Sequence, residues 1–148
     1  MGASGWNYWT AYTDDLEEML EQLQDEVFAA GDYVDPWDAP DDYHPASIEK
    51  LVDNCGEEGT HSILDIDNIS TEPVPHDADW EDEFLTLFPL TRGALRRIFD
   101  TTRPTREEVE ANEHKLAEIE IQGWSGRWIL TYEGDEPSEY YIFGTSGD

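Results

Sequence analysis

Two tryptophans sit alone among carboxylates, in Asp35-Pro36-Trp37-Asp38 and in Asp79-Trp80-Glu81-Asp82. An aromatic anchor ringed by acids is the composition of a binding hot spot for a basic partner: the ring supplies buried area, and the charges supply encounter and register. The competing reading is that each Trp folds back and staples its loop onto the core. The opposite sign gathers once, where Arg92, Arg96, Arg97, Arg103 and Arg106 hold five of the chain's eight basic residues. On a helix Arg92 and Arg96 share a side one turn apart. Arg103 and Arg106 bracket Pro104 and the start of a further helix, an anion-friendly place. Such an island would grip a phosphate, an RNA backbone or an acidic peptide; the competing reading is that it pairs with the chain's own carboxylates. For nucleophilic chemistry the candidates are Cys55 and Thr60-His61-Ser62. Cys55 ends an apolar helix stripe, where a thiol more often behaves as a small core residue than as an activated nucleophile. His76-Asp77-x-Asp79-x-Glu81-Asp82 and Asp65-x-Asp67 crowd oxygen ligands, but neither has the glycine and distal glutamate of an EF-hand. Loose cation condensation is the reading there, and no cofactor or specific metal is expected.

The charge around these groups is extreme. The 148 residues carry 36 Asp and Glu against eight Lys and Arg, a formal net charge of −28, where a small domain needs about 2–8 in magnitude to stay soluble. Only two of the cations, Lys50 and Lys115, are lysine. An acid-rich, lysine-poor chain has the composition of halophilic adaptation, because at about 1 M salt the Debye length is about 3 Å and self-repulsion is screened. The same carboxylates would serve a phosphate mimic or a surface specific for a basic protein. Twelve per cent aromatic residues, six Trp and seven Tyr among them, supply enough apolar area for a globular chain. A single cysteine excludes an internal disulfide and fits a reducing compartment. No apolar run is long enough to cross a membrane and no leader opens the chain, so a cytoplasmic protein without a membrane partner is expected.

The elements that must position these residues read as one acidic domain over 1–148. Trp6 to Tyr12 is rich in strand formers. Thr13 or Asp14 then caps a helix to about Ala30, with Leu16, Met19, Leu20, Leu23 and Val27 at helical spacing and Gly31 at its end. Residues 32–45 form a proline-punctuated loop before a short helix over Ser47–Asn54. Ser62 to Ile69 reads as a strand, residues 70–83 as a second proline- and acid-rich loop, and Phe84 to Leu90 as a strand. A helix follows over Arg92–Phe99, and Thr105-x-x-Glu108 is a capping box opening another to about Leu116. Glu118–Gln122 is ambiguous. Trp128–Tyr132 and Glu139–Phe143 make a hairpin around Gly134-Asp135-Glu136-Pro137. Without βα repeats or a glycine-rich turn, this order argues for α+β: an antiparallel sheet with helices packed on one side and a C-terminal β-hairpin.

The blocks Gly2-Ala3-Ser4-Gly5-Trp6-Asn7-Tyr8, Gly59-Thr60-His61-Ser62-Ile63-Leu64-Asp65 and Phe143-Gly144-Thr145-Ser146-Gly147-Asp148 resemble those of an uncharacterised family of small bacterial and archaeal proteins. The resemblance covers these blocks and the length, leaves the acidic loops unmatched, and implies no activity. It does draw attention to small polar residues at both ends. If the first strand lies beside the C-terminal hairpin, Ser4, His61, Asp65, Ser146 and Asp148 would converge.

Three functions follow in order. The first is a non-enzymatic interaction protein of inhibitor or immunity type, covering a basic protein with the acidic surface around Asp35, Trp37, Asp38, Asp79, Trp80, Glu81 and Asp82. The second is an RNA- or ribosome-associated factor docking through Arg92, Arg96, Arg97, Arg103 and Arg106. The third is a small enzyme centred on His61 and Asp65, with Cys55 or Ser62.

Overall fold

The computed structural model describes residues 4–147. Strand β1 (Ser4–Ala11) leads into helix α1 (Leu16–Ala30), capped one residue later than expected: the Asp15 carboxylate accepts from the N–H groups of Glu17 at 3.0 Å and Glu18 at 3.2 Å. Met19, Leu20, Leu23 and Val27 are its buried stripe, and Gly31 ends it at φ 69°, a left-handed conformation that glycine adopts without strain. Helix α2 (Ile48–Cys55) starts at Ser47, whose hydroxyl accepts from Lys50 N–H at 3.1 Å.

The strand expected over Ser62–Ile69 does not form. Ile63, Leu64, Asp65 and Ile66 are all buried rather than alternating, and Ile63–Asp65 is a tight 3₁₀ turn capped by the Ser62 hydroxyl on Leu64 N–H at 3.1 Å. A local hydroxyl-to-backbone bond competes with the ladder here, and only Asn68–Ile69 remains as strand β2. In the loop expected over 70–83, a single turn, α3 (Trp80–Glu83), is closed by a capping box between Asp79 and Asp82.

Beyond it lie strand β3 (Thr86–Pro89) and helix α4 (Arg92–Phe99), which ends with Asp100 at φ 61°. The expected helix to Leu116 breaks in two, α5 (Arg106–Ala111) and α6 (Glu113–Leu116). At the break the Asn112 side chain donates to Glu108 C=O at 2.8 Å. Residues 118–122 are turn and coil, with Ile119 and Ile121 packed against the core. Strands β4 (Ser125–Glu133) and β5 (Glu136–Ser146) form the hairpin, longer at both ends than its apolar segments suggest.

These elements make an α+β domain around one five-stranded sheet, in the order β1-β5-β4-β3-β2. Two expectations are corrected. The sheet is mixed: β1–β5 and β5–β4 are antiparallel, whereas β4–β3 and β3–β2 are parallel. Helices also cover both faces, because parallel neighbours need crossover connections and these must pack on the sheet. Tyr140 and Ile142 point into one core with Trp6 and the buried stripe of α1; Tyr141 and Phe143 point into the other with Phe99, Val109 and Leu116 from α4, α5 and α6. The uninterrupted run Tyr140-Tyr141-Ile142-Phe143 is therefore a central strand buried on both sides.

Candidate functional site

Both tryptophan loops hold their rings in solvent. Trp37 is 87% exposed and Trp80 is 58% exposed. The first loop is fixed from below: Pro36 is buried, Val34 N–H donates to Thr60 C=O at 2.9 Å, and Ala39 N–H closes a turn onto Pro36 C=O at 2.9 Å. Anchoring by Pro36 leaves its neighbour Trp37 pointing outward, with Asp35 and Asp38 exposed on either side. In the second loop the acids build the pedestal. Asp79 Oδ1 accepts from Glu81 and Asp82 N–H at 3.0 and 3.2 Å, and Asp82 Oδ2 accepts from Asp79 N–H at 3.1 Å. That turn presents Trp80 edge-on to Phe84, with ring centroids 5.8 Å apart.

The two loops meet the same stretch of chain. Val34 bonds Thr60, while Phe84 lines a cleft of about 330 Å³ with Gly56, Gly59, Asp65 and Trp124. At Gly59, φ is 72° and any Cβ would collide with the Trp124 ring, so the close approach requires glycine. Leu85 and Trp124 also hold positive φ, at 56° and 64°. Leu85 N–H donates to Trp124 C=O at 2.6 Å, and its C=O accepts from Asp67 at 2.9 Å and Asn68 at 3.1 Å. These bonds hold strained backbone that would otherwise relax.

The arginine island divides. Arg106 is neutralised: it donates to Glu139 at 2.8 Å and Glu110 at 3.2 Å, and lies 4.4 Å from the centroid of the Trp9 ring. Arg103 reaches only an exposed pairing with Asp135 at 3.8 Å and lies over Tyr132. Arg92, Arg96 and Arg97 are exposed on α4 and have no ion pair among the described residues. Self-pairing thus accounts for Arg106, only loosely for Arg103, and not for the three on α4.

Of the polar residues at the chain ends, the structure joins Asp65 and Ser146. Asp65 Oδ1 accepts from Thr60 N–H at 2.7 Å and Thr60 Oγ1 at 2.9 Å, and Asp65 Oδ2 accepts from Ser146 Oγ at 2.7 Å. Ser146 Oγ in turn accepts from Trp6 Nε1 at 3.0 Å, and Ser62 Oγ lies 2.7 Å from Thr60 Oγ1. Ser4 faces Ser146 across the β1–β5 ladder, and Asp148 lies outside the described residues. His61 is held at φ 53° with a buried, unpartnered Nδ1, and it makes no hydrogen bond to Asp65. Trp6 is the member that spacing does not reveal, and Thr60 enters through the Thr60-His61-Ser62 run. Their only signal is that small hydroxyls flank a histidine and that tryptophan follows glycine.

This network is closed: every polar atom in it is spent on another. Cys55, one of the two nucleophiles considered for the enzyme reading, is not activated. Cys55 is buried, its Sγ donates weakly to Val34 C=O at 3.7 Å, and burial first, then Asp65 and Asp35, push its thiol pKa up. An activated cysteine needs the reverse shift. Among the described residues no group of three His, Cys, Asp or Glu side chains is arranged to hold a metal ion.

A second buried pair was not foreseen. Arg127 Nη2 donates to Glu83 Oε1 at 2.7 Å, with both side chains about nine-tenths buried. The signal in the sequence is an arginine directly before the apolar run Trp128-Ile129-Leu130. No family model, curated protein or solved structure matches the chain, so the α+β fold and these geometries carry the functional argument alone.

Proposed function

We propose that this chain is a non-enzymatic cytoplasmic interaction protein of inhibitor or immunity type, covering a basic protein with its acidic, tryptophan-bearing loops. One observation carries the reading: Trp37 and Trp80 are left 87% and 58% exposed, the first on a loop tied to Thr60 through Val34 and the second on a turn closed by the Asp79–Asp82 capping box. Tryptophan is among the residues most enriched at interface hot spots, and an aromatic ringed by carboxylates suits a cationic surface. The first loop bonds Thr60 through Val34, and Phe84, directly after the second loop, lines the cleft beside Gly59 and Asp65; in this reading one partner covers both loops. The field of the remaining acids would speed encounter with a basic protein and exclude acidic ones.

The test is a comparison of purified partner binding by the wild type and by Trp37→Ala and Trp80→Ala, after the partner has been captured at native salt and identified. Each substitution should weaken binding by about 30-fold, the size of a hot-spot loss, while leaving the thermal midpoint unchanged. Affinity equal to wild type in both variants would overturn the reading. The RNA-docking alternative has its own supporting observation, the unpaired Arg92, Arg96 and Arg97 on α4. A net charge of −28 opposes any polyanion beyond the few ångströms those arginines command.

A further inference from the structure

The parallel pairing of β3 with β4 stops early. Its last bond runs from Leu90 N–H to Trp128 C=O at 3.4 Å, and the next contact on that edge is Tyr132 N–H to Pro104 C=O at 2.9 Å. Between them the N–H and C=O of Leu130 point to the same open edge and find no partner among the described residues. A cleft of about 450 Å³ lies over this gap, walled by Leu90, Leu95, Arg92, Thr102 and Arg103. It offers one free backbone donor, one free backbone acceptor, two exposed guanidinium groups and an aliphatic wall.

We infer that this cleft is a docking site for the C-terminal tail of a protein that ends in an aliphatic residue with a free carboxylate. A bare strand edge recognises another peptide through main-chain bonds. A through-running strand is excluded, because Leu90 closes one end of the gap and Pro104 the other. A chain end fits: its last N–H donates to Leu130 C=O, and its carboxylate accepts from Leu130 N–H. Arg92 and Arg103 flank that carboxylate, and arginine–carboxylate bonds are among the strong ones. A peptide N-terminus would bring a third cation to two arginines.

The last side chain rests against Leu90 and Leu95. With Pro104 on the edge at Tyr132, the peptide residues before the last leave the edge outward, over the exposed acids Glu133, Asp135 and Glu136 of the adjoining hairpin, so a basic tail is favoured over an acidic one. The contact between Arg103 and Asp135, 3.8 Å between side chains 59% and 99% exposed, is weak enough to yield. A nucleotide fits less well. Arg103 already covers the Tyr132 ring, and Trp128 is held edge-on to Tyr140 with its indole N–H on Ser70 C=O at 3.0 Å, so neither ring is free to stack a base.

The inference does not rest on the tryptophan loops. Titration calorimetry would compare an N-acetylated Lys-Lys-Ala-Leu peptide bearing a free carboxylate with the same peptide amidated, and with a single-stranded RNA octamer. The free acid should bind, and amidation, Arg92→Ala or Arg103→Ala should each weaken it by about tenfold. Trp37→Ala should leave its affinity unchanged. Equal binding of acid and amide, no heat from the acid at millimolar concentration, or binding of the RNA alone would overturn the assignment. Far-ultraviolet circular dichroism of each variant guards against a folding artefact, and Arg92→Lys, retaining charge without the fork, should recover part of the affinity.

Discussion

The two ends of β4 treat charge in opposite ways. Near Ser125, Asp65 is surrounded by hydroxyl and N–H donors, and Glu83 and Arg127 neutralise one another out of solvent. Near Tyr132, Arg92 has no ion pair among the described residues, Arg103 has only a long exposed one, and Leu130 leaves a peptide group unbonded. Both ends belong to the same strand of the same acidic chain, so composition does not account for the contrast. Satisfied polar groups at the first end specify which segments come together: β1, β5 and the 60–65 turn are tied through Trp6, Ser146 and Asp65. At the second end Arg106 is paired with Glu139 opposite Thr131, whereas Arg92, Arg103 and the Leu130 peptide group contribute little to the fold.

The largest effect belongs to the buried ion pair. Glu83→Ala should destabilise the protein by about 3–5 kcal/mol, because it leaves the Arg127 guanidinium buried without a counter-charge. Replacing both residues by apolar ones, Glu83→Leu with Arg127→Met, should restore most of that loss. Chemical denaturation reads both outcomes. A single substitution costing under about 1 kcal/mol would place the pair in the surface class and remove half of the comparison.

Next comes the hydroxyl that bridges the chain ends. Ser146→Ala removes the acceptor of Trp6 Nε1–H and one donor to Asp65 at once. It should cost about 1–3 kcal/mol as buried polar groups lose partners. The indole emission of Trp6 should change with it, whereas a structurally idle Ser146 would leave both readouts at wild-type values.

Alkali probes the same interior without mutation. Burial pushes the Tyr140 and Tyr141 phenols from 10 up to about 12, with Tyr12 and Asp14 adding to the shift at Tyr140 and Glu113 adding at Tyr141. The folded state therefore holds these protons more tightly than the unfolded one. The stability this contributes is whole below pH 10 and is lost as pH rises toward 12. In a titration followed at 295 nm, ionisation of these two residues should coincide with loss of near-ultraviolet dichroism. Ionisation complete by pH 10 in a still-folded protein would contradict their burial.

How much of this was legible in the sequence differs between the two ends. Helix caps are local, so α1, α2, α4 and α5 start within a residue or two of where the sequence puts them, although α1 is capped by Asp15 rather than by Thr13 or Asp14. Strand direction is not local. Nothing between residues 84 and 90 states that β3 will run parallel to β4, and the mixed sheet followed from crossovers whose packing depends on the whole chain. The signal for helices on both faces was present in Tyr140-Tyr141-Ile142-Phe143, an apolar run without alternation, but it was outweighed by the hairpin signal beside it. Ser62–Ile69 failed for the converse reason: its residue types suit a strand, while the Ser62 hydroxyl closes a turn. At the candidate site, the proximity of Asp65 and Ser146 was inferable once β1 was placed beside β5. Trp6 and the Glu83–Arg127 pair depend on side-chain reach across elements and leave almost no local trace.

The smallest predicted effect is the one that most sharpens the contrast. Arg96 and Arg97 lie on the outer side of α4, with Ile98 and Phe99 buried and Leu95 half-buried beside them. They carry charge that no carboxylate among the described residues neutralises. Both are in the helix's last turn, where a cation gains at most a fraction of a kcal/mol from the dipole at an exposed site. Arg96→Gln with Arg97→Gln should therefore shift stability by no more than about 0.5 kcal/mol in dilute salt. That shift should shrink further at high salt, where the attraction of these cations to the surrounding acids is screened. A loss of 2 kcal/mol or more would mean that the chain needs these arginines to hold itself together, as it needs Arg127. A near-zero value would leave α4 as positive charge the fold can dispense with, in contrast to Arg127 at the other end of β4.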